Sequence, residues 1–507
     1  MKLNVIKNAK KNIIFGTINK MIMMVCPFFT RTVIRYILGV EYLGLDSLFA
    51  SIISVLSLTE LGFSSAVVYH LYKPVAEGDT KKVNAFLGFY KKAYRIIGFI
   101  ILIIGLLLIP FLPRLIKGSY PSELTLWKLY IFYLINTCVS YFMYAYMTSI
   151  ITVYQRDDIN STRNSIITIF LTVFRIGFLL LTKNYYFYII ALPVFTIINN
   201  LWVAKVVKKQ FPQYKCEGNL EKSELSSIKK LVMGTFLQRA CSVTRNSLDS
   251  ICISSIIGLT MTGIYNNYFY IITSITAIMT IIINSFTGGI GNHVALKTKE
   301  ENFKEMQSMD FIYLWLGGWC TVCLLCLYQP FMQIWMGDNM LLSKLSVVLL
   351  CIYFYLLKLG DVRSLYTAAN GLWWEQRWRS IAETLLNLVL NISLGLLWGV
   401  NGIIVATIIS LFLCNYLWAT RILFKKYYSN EHLKAHYRTQ STYTFVTFII
   451  CCITYFIVHN ISLDNKVIDF SIKSIICLVL PNTTYYLIYR KNDMFKKAFR
   501  VLIKKDR

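Results

Sequence analysis

Acidic residues are scarce in this 507-residue chain: 25 Asp and Glu stand against 52 Lys and Arg, and charged residues make up only 15% of it. Histidine is scarcer still, with five (His70, His293, His432, His436, His459), all expected at the ends of apolar segments or in loops. So few acid–base groups yield no nucleophile–base arrangement, and no enzyme is expected. Long polar stretches are missing too. The longest, "KKQFPQYKCEGNLEKSELSSIKK" at 208–230, is too short to be a domain. The first apolar segment has no small-residue cleavage site and carries Lys20, so it is expected to be a retained span rather than a secretory signal. "GGIG" at 288–291 lacks the Lys-Ser/Thr that would complete a phosphate loop.

Apolar runs are what the chain has in abundance. It is 56% hydrophobic with a mean hydropathy of +0.54. Runs such as "IIGFIILIIGLLLIPFL" (96–112) and "NLVLNISLGLLWGV" (387–400) belong to segments of about 20 residues, enough to cross a hydrocarbon layer roughly 30 Å thick. Fourteen such segments are read, from 13–38 and 44–72 through 231–257 and the pair 378–397 and 400–423 to 441–458 and 468–489. The expected fold is therefore an all-α polytopic membrane protein. Thirteen cysteines lie almost entirely inside these segments, where they are expected to pack; no metal site and no cofactor are expected.

The net charge of +27 follows the same division. Of the 52 basic residues, 37 fall in the terminal segments and the loops on their side, six in the opposite loops (Arg114, Lys117, Lys128, Lys183, Lys344, Lys466) and nine within spans. That bias predicts cytoplasmic termini and anionic lipid headgroups, rather than nucleic acid, as partners.

An internal repeat organises the spans. Shifted by 219 residues, "KKNIIFGTINK" (10–20) aligns with "KKLVMGTFLQR" (229–239), and "ILGVEYLGL" (37–45) with "IIGLTMTGI" (256–264). Lys20 meets Arg239, while Gly39 and Gly44 meet Gly258 and Gly263. Six spans separate the copies, so both cross the membrane in the same direction, and such folds hold substrate between their halves. The expected divisions are an N-terminal lobe at 1–208, a linker at 209–230, a C-terminal lobe at 231–425, and two added spans with a basic tail at 426–507.

A charge at the bilayer centre costs about 3 kcal/mol on insertion scales and normally faces a cavity or a partner. The intramembrane bases are Lys20, Arg31, Arg35, Arg175, Arg239, Arg245, Lys358, Arg363 and, near an interface, Lys473; the acids are Asp46, Glu60, Asp249, Asp361 and Glu383. This excess predicts an interior that attracts an anion. Lys20, Arg31 and Arg35 share one helix face, with Arg35 shallow enough to snorkel to the headgroups. Arg245 and Asp249, four apart, are placed to neutralise each other, and Asp361 stands beside Lys358 and Arg363. Glu60, Asp249, Asp361 and Glu383 are the candidates for ion coupling.

The segment "FFTRTVIRYILGVEYLGLDSLFASIISVLSLTELGFSSAVVYHLYKPVAEGDTKKVNAFLGFYKKAYRIIG" (28–98), followed by "IIGLTMTGIYNNYFYI" (256–271), resembles the Wzx-like polysaccharide flippases of the multidrug/oligosaccharidyl-lipid/polysaccharide exporter superfamily. The resemblance spans 9–425 and is strongest at Gly39, Glu41, Gly44, Glu60, Gly62, Gly78, Asp79, Gly263 and Tyr265. It implies two six-helix lobes working by alternating access in a bacterial cytoplasmic membrane. The implied substrate is an undecaprenyl-diphosphate-linked oligosaccharide, with polysaccharide polymerase and glycosyltransferases as pathway partners. Arg31, Lys20 and Arg239 would then engage the diphosphate, with Arg35 and Arg245 secondary. Two departures count against neighbouring branches. The interior of the second span offers Glu60 and no basic residue, unlike the lipid II flippases. The core of the first span has no carboxylate, unlike the cation-coupled multidrug antiporters. A scaffold for a glycan-assembly complex is the non-transporting alternative.

Overall fold

The computed structural model describes residues 5–60, 63–492 and 494–496; Gly62 and most of the basic tail lie outside them. Every described element is helical. By internal packing the chain groups into two units, Met1–Gly263 and Ile264–Arg507.

The first unit starts with α1 (Val5–Ile37), α2 (Val40–Leu56) and α3 (Phe63–Glu77), followed by α4 (Thr80–Leu108), α5 (Leu126–Phe142) and the short α6 (Thr148–Val153). It continues with α7 (Asp157–Thr182), α8 (Tyr185–Gln210) and α9 (Lys222–Ile256), and takes in the first residues of α10 (Leu259–Ser285). The second unit holds the rest of α10, then α11 (Thr287–Leu296), α12 (Lys299–Trp335), α13 (Lys344–Leu359) and α14 (Asp361–Ala369). After these come α15 (Arg377–Ser410), α16 (Ala419–Lys426), α17 (Asn430–His459) and α18 (Lys466–Tyr489).

Helix starts follow local chemistry. Asp79 accepts from the Lys82 amide ahead of α4, Asn184 from the Tyr186 amide ahead of α8, and Thr298 with Glu301 forms a reciprocal capping box ahead of α12. Each satisfies amides that the first turn leaves open.

Ten of the described helical stretches are long and apolar enough to span a membrane, eleven if α5 and the short helical piece after it, bent by 50°, form one crossing. One stretch, Arg377–Lys426, conceals a reversal. Asn387 Nδ2 lies 3.0 Å from Thr407 Oγ1 and 3.3 Å from Ser410 Oγ. On a straight helix those partners would stand about 30 and 35 Å away. The chain turns back at Gly399 (φ 60°, ψ −136°), between the expected segments 378–397 and 400–423. The second span is broken as well: α2 gives way to a 3-10 turn at Ser57–Glu60 before α3 begins.

The repeat found in the sequence has a structural counterpart. In α1 the amides of Leu38 and Gly39 both donate to the Ile34 carbonyl, at 2.9 and 3.0 Å. In α9 the amides of Ile257 and Gly258, 219 residues on, donate to the Ile253 carbonyl at the same two distances. Gly39 and Gly258 take φ of 119° and 131°, open to glycine alone among ordinary residues. The next glycines meet reciprocally. A Cβ on Gly44 would strike the Leu259 carbonyl, and one on Gly263 would sit 2.7 Å from the carbonyl of Val40, the repeat mate of Leu259. Two helix starts thus cross at backbone distance about a local pseudo-two-fold, a geometry that small residues permit in membranes.

Helices run on beyond the apolar segments: Arg163 and His436, outside the expected spans, and Arg379, at the edge of one, are each buried within a helix. Thus α7 begins at Asp157, α15 at Arg377 and α17 at Asn430.

Candidate functional site

In the first unit the charges of three helices meet at one depth. Arg31 lies about 9 Å from the end of α1, Asp46 about 9 Å into α2, and Arg175 about 10 Å from the end of α7. Arg175 Nη2 stands 3.8 Å from Asp46 Oδ1, its Nε donates to the Tyr188 carbonyl at 3.2 Å, and its guanidinium lies 3.5 Å over the Tyr188 ring. The Tyr133 hydroxyl donates to Asp46. The Arg175 guanidinium and the Asp46 carboxylate therefore share an aromatic wall, where a ring face adds cation–π attraction, and Arg31 stands at the same depth on α1.

The remaining expected cations are spread along their helices. Lys20 is exposed and lies about 16 Å along α1 from Arg31. Arg35 is half-buried near the Tyr36 ring and makes no ion pair among the described residues. Arg239, the repeat mate of Lys20, is exposed in the same way. Arg245 and Asp249 are both buried on α9. In packing terms α1 lies along α7 and α2, whereas α9 lies along α2 and α3.

Arg163 is the cation that sequence reading missed. Only 4% of it is exposed, its Nη2 donates to Asn164 Oδ1 at 3.2 Å, and its Nε and Nη1 have no partner among the described residues. Such open donors in a desolvated place are costly unless an anion or water answers them. Its one sequence signal was its position seven residues into a helix that proved longer than its apolar core.

Glu60 ends the 3-10 turn that breaks the second span. The hydroxyls of Tyr94 and Tyr141 both donate to its carboxylate, and the Tyr90 hydroxyl donates to that of Tyr94 at 2.9 Å. A carboxylate held by phenols at a helix break can take up a proton without losing all of its hydrogen bonds.

The second unit treats charge differently. Lys358, 1% exposed, donates to Asp361 Oδ2 at 2.8 Å, and the Tyr313 hydroxyl donates to the same atom at 2.6 Å. Arg379 and Glu383, both buried, form an ion pair one turn apart on α15. Arg363 donates to the carbonyl and the side chain of Asn415, which sits on a turn of π-helix at Leu411–Trp418. Asp310 on α12 faces His436 on α17 at 3.4 Å. Asp361 and Glu383, expected as ion-coupling candidates, thus sit inside a ladder of charged pairs.

No protein-family model and no curated protein sequence matches the chain. Solved structures do. The lipid II flippase MurJ in an inward closed conformation superposes with a TM-score of 0.70 at 16% identity, over 94% of this chain and 99% of that one. An inward-facing MATE family multidrug resistance transporter of the MOP superfamily gives 0.60 at 14% identity, over 79% and 96%. A mutant of the Vibrio cholerae MATE transporter VcmN gives 0.58 at 13%, over 84% and 99%. At these identities the likeness establishes the fold alone, the all-helical architecture that MurJ and the MATE transporters share.

Proposed function

We propose that the chain is a flippase moving undecaprenyl-diphosphate-linked oligosaccharide units across a bacterial cytoplasmic membrane by alternating access, for surface polysaccharide synthesis. The observation that carries this reading is the positive excess in the first unit, where Arg31 and Arg175 outnumber Asp46 and Arg163 holds open donors. A diphosphate meets such a surface with oxygens that guanidinium forks grip two at a time. The fourteen crossings, the cytoplasmic termini and the two lobes at 1–208 and 231–425 belong to the same proposal.

In this reading Arg31 is the main diphosphate contact and Arg35 and Arg245 flank it. Lys20 and Arg239, exposed at matching depths, meet the substrate before or after Arg31 rather than with it, because about 16 Å of helix separates Lys20 from Arg31. Glu60, Asp249, Asp361 and Glu383 are the residues to test for coupling to protons or sodium. Polymerase and glycosyltransferases are proposed as pathway partners.

The likeness to MurJ favours a second reading, flipping of lipid II. Reconstituted vesicles loaded with either lipid-linked substrate separate the two. Loss of oligosaccharide translocation in Arg31→Ala and Arg239→Ala, with normal protein levels, is the expected outcome. Unchanged translocation in both variants overturns the assignment of these residues. Translocation of drugs alone would make the chain an antiporter, and none of any kind a scaffold.

A further inference from the structure

In the second unit a cavity of about 200 Å³ opens where α12 and α17 end and α13 and α18 begin. By volume it holds about six or seven waters, or one phosphate with its ester linkages. Its floor is apolar and its rim carries Gln329, Gln333, Lys344, His459 and Lys473. These polar groups differ in how far the protein occupies them. Gln329 is committed: its amide donates to the Leu342 carbonyl at 2.7 Å and its oxygen accepts from the Tyr268 hydroxyl at 2.6 Å. Lys473 is paired with Asp469 at 2.7 Å. Lys344 has no acidic partner among the described residues, and neither the Gln333 amide nor the His459 imidazole makes a hydrogen bond among them. The His459 ring is held in place, stacked on Tyr455 at 5.4 Å.

Three donor-bearing groups with no hydrogen-bond or acidic partner among the described residues, the exposed Lys344 and His459 and the half-buried Gln333, therefore line one cavity. Below Lys344 the exposed side chains Leu345, Val348 and Ile352 follow at helical spacing on α13, so an apolar stripe leads from the rim along the span. A cationic mouth over an apolar stripe matches one kind of molecule: a phosphate joined to acyl chains.

We propose that this cavity binds the headgroup phosphate of an anionic bilayer phospholipid, with an acyl chain along Leu345, Val348 and Ile352. Lys344 supplies the charge, as a flexible ammonium on a phosphate, while Gln333 and His459 supply oriented hydrogen bonds. Basic pockets between membrane helices recognise anionic headgroups on this principle. The bound lipid joins α17 and α18 to α12 and α13, elements already packed together in this unit. The inference does not depend on which substrate the protein transports.

Native mass spectrometry of the full-length protein in detergent tests it, with phosphatidylglycerol, phosphatidylcholine and inorganic phosphate as probes. Wild-type protein should retain phosphatidylglycerol in preference to phosphatidylcholine. Lys344→Gln should weaken that retention about fivefold, the effect of roughly one cation at a headgroup, and Lys344→Arg should restore it. The Gln333→Leu variant, which leaves every charge in place, should weaken it as well. Equal retention of the two lipids overturns the proposal, as does unchanged retention in both the Lys344→Gln and Gln333→Leu proteins. Displacement of the lipid by millimolar inorganic phosphate would reassign the cavity to a soluble anion. A monodisperse elution profile for each variant shows that any loss is not one of folding.

Discussion

The two units differ in how far their charges are answered by the protein. In the second, Lys358 with Asp361 and Arg379 with Glu383 close on each other, and Arg363 is answered by Asn415, with only the Nε of each arginine left without a hydrogen bond among the described residues. In the first, Arg163 keeps two open donors, and Lys20, Arg35 and Arg239 make no ion pair among the described residues. A closed set of charges holds helices in register, because each member is costly to leave alone. An open, positive set has its counter-charge still to come. The contrast fits a structural use of charge in the second unit and, under the proposed function, a ligand-facing one in the first.

The sharpest way to break that contrast lies in the second unit. Arg379→Ala strands the buried Glu383 carboxylate and should lower stability by about 3 to 5 kcal/mol, read as a fall in the thermal midpoint in detergent. Replacing the pair together, as Arg379→Met with Glu383→Leu, should recover most of the loss. A single variant as stable as wild type would show that the pair is not structural.

Next in size is Arg31→Ala in the first unit. Removing one charged contact to a phosphate is worth roughly 1.5 to 3 kcal/mol, or about 10- to 100-fold in flux, while the half-buried position should leave the thermal midpoint little changed. Should stability fall and flux hold, Arg31 would belong with the structural charges.

Arg163→Leu sharpens the comparison further. It removes two open donors from a buried place, so stability should stay level or rise by about 1 kcal/mol, in contrast to Arg379→Ala. The smallest effect on stability is expected for Lys20→Gln and Arg239→Gln, exposed positions where it should shift by no more than about 0.5 kcal/mol. The flux that remains in them should be less sensitive to salt, since exposed charges act through screened, long-range attraction.

Much of this was legible without coordinates. Apolar segments about 20 residues long announced the membrane class, and the glycines at 39, 44, 258 and 263 announced a repeat that the structure displays as two helix starts crossing at their backbones. The positive excess among intramembrane residues was likewise a matter of counting. What stayed hidden was pairing across helices. Nothing in the spacing of Asp46 and Arg175 says that they stand 3.8 Å apart, 129 residues removed in sequence. The burial of Arg163, Arg379 and His436 was not legible, because hydropathy marks the lipid-facing part of a helix, while a helix continues for as long as its backbone bonds and neighbours support it.

The sequence by itself determined the environment, the class of fold and the internal repeat, because each follows from composition and local periodicity. Tertiary structure decided which charges are closed and which are open, and where helices break, at Ser57–Glu60 and Gly399. The physical reason is that the energy of a buried charge depends on what stands within a few ångströms of it, and that distance is a property of packed helices rather than of the order of residues along them.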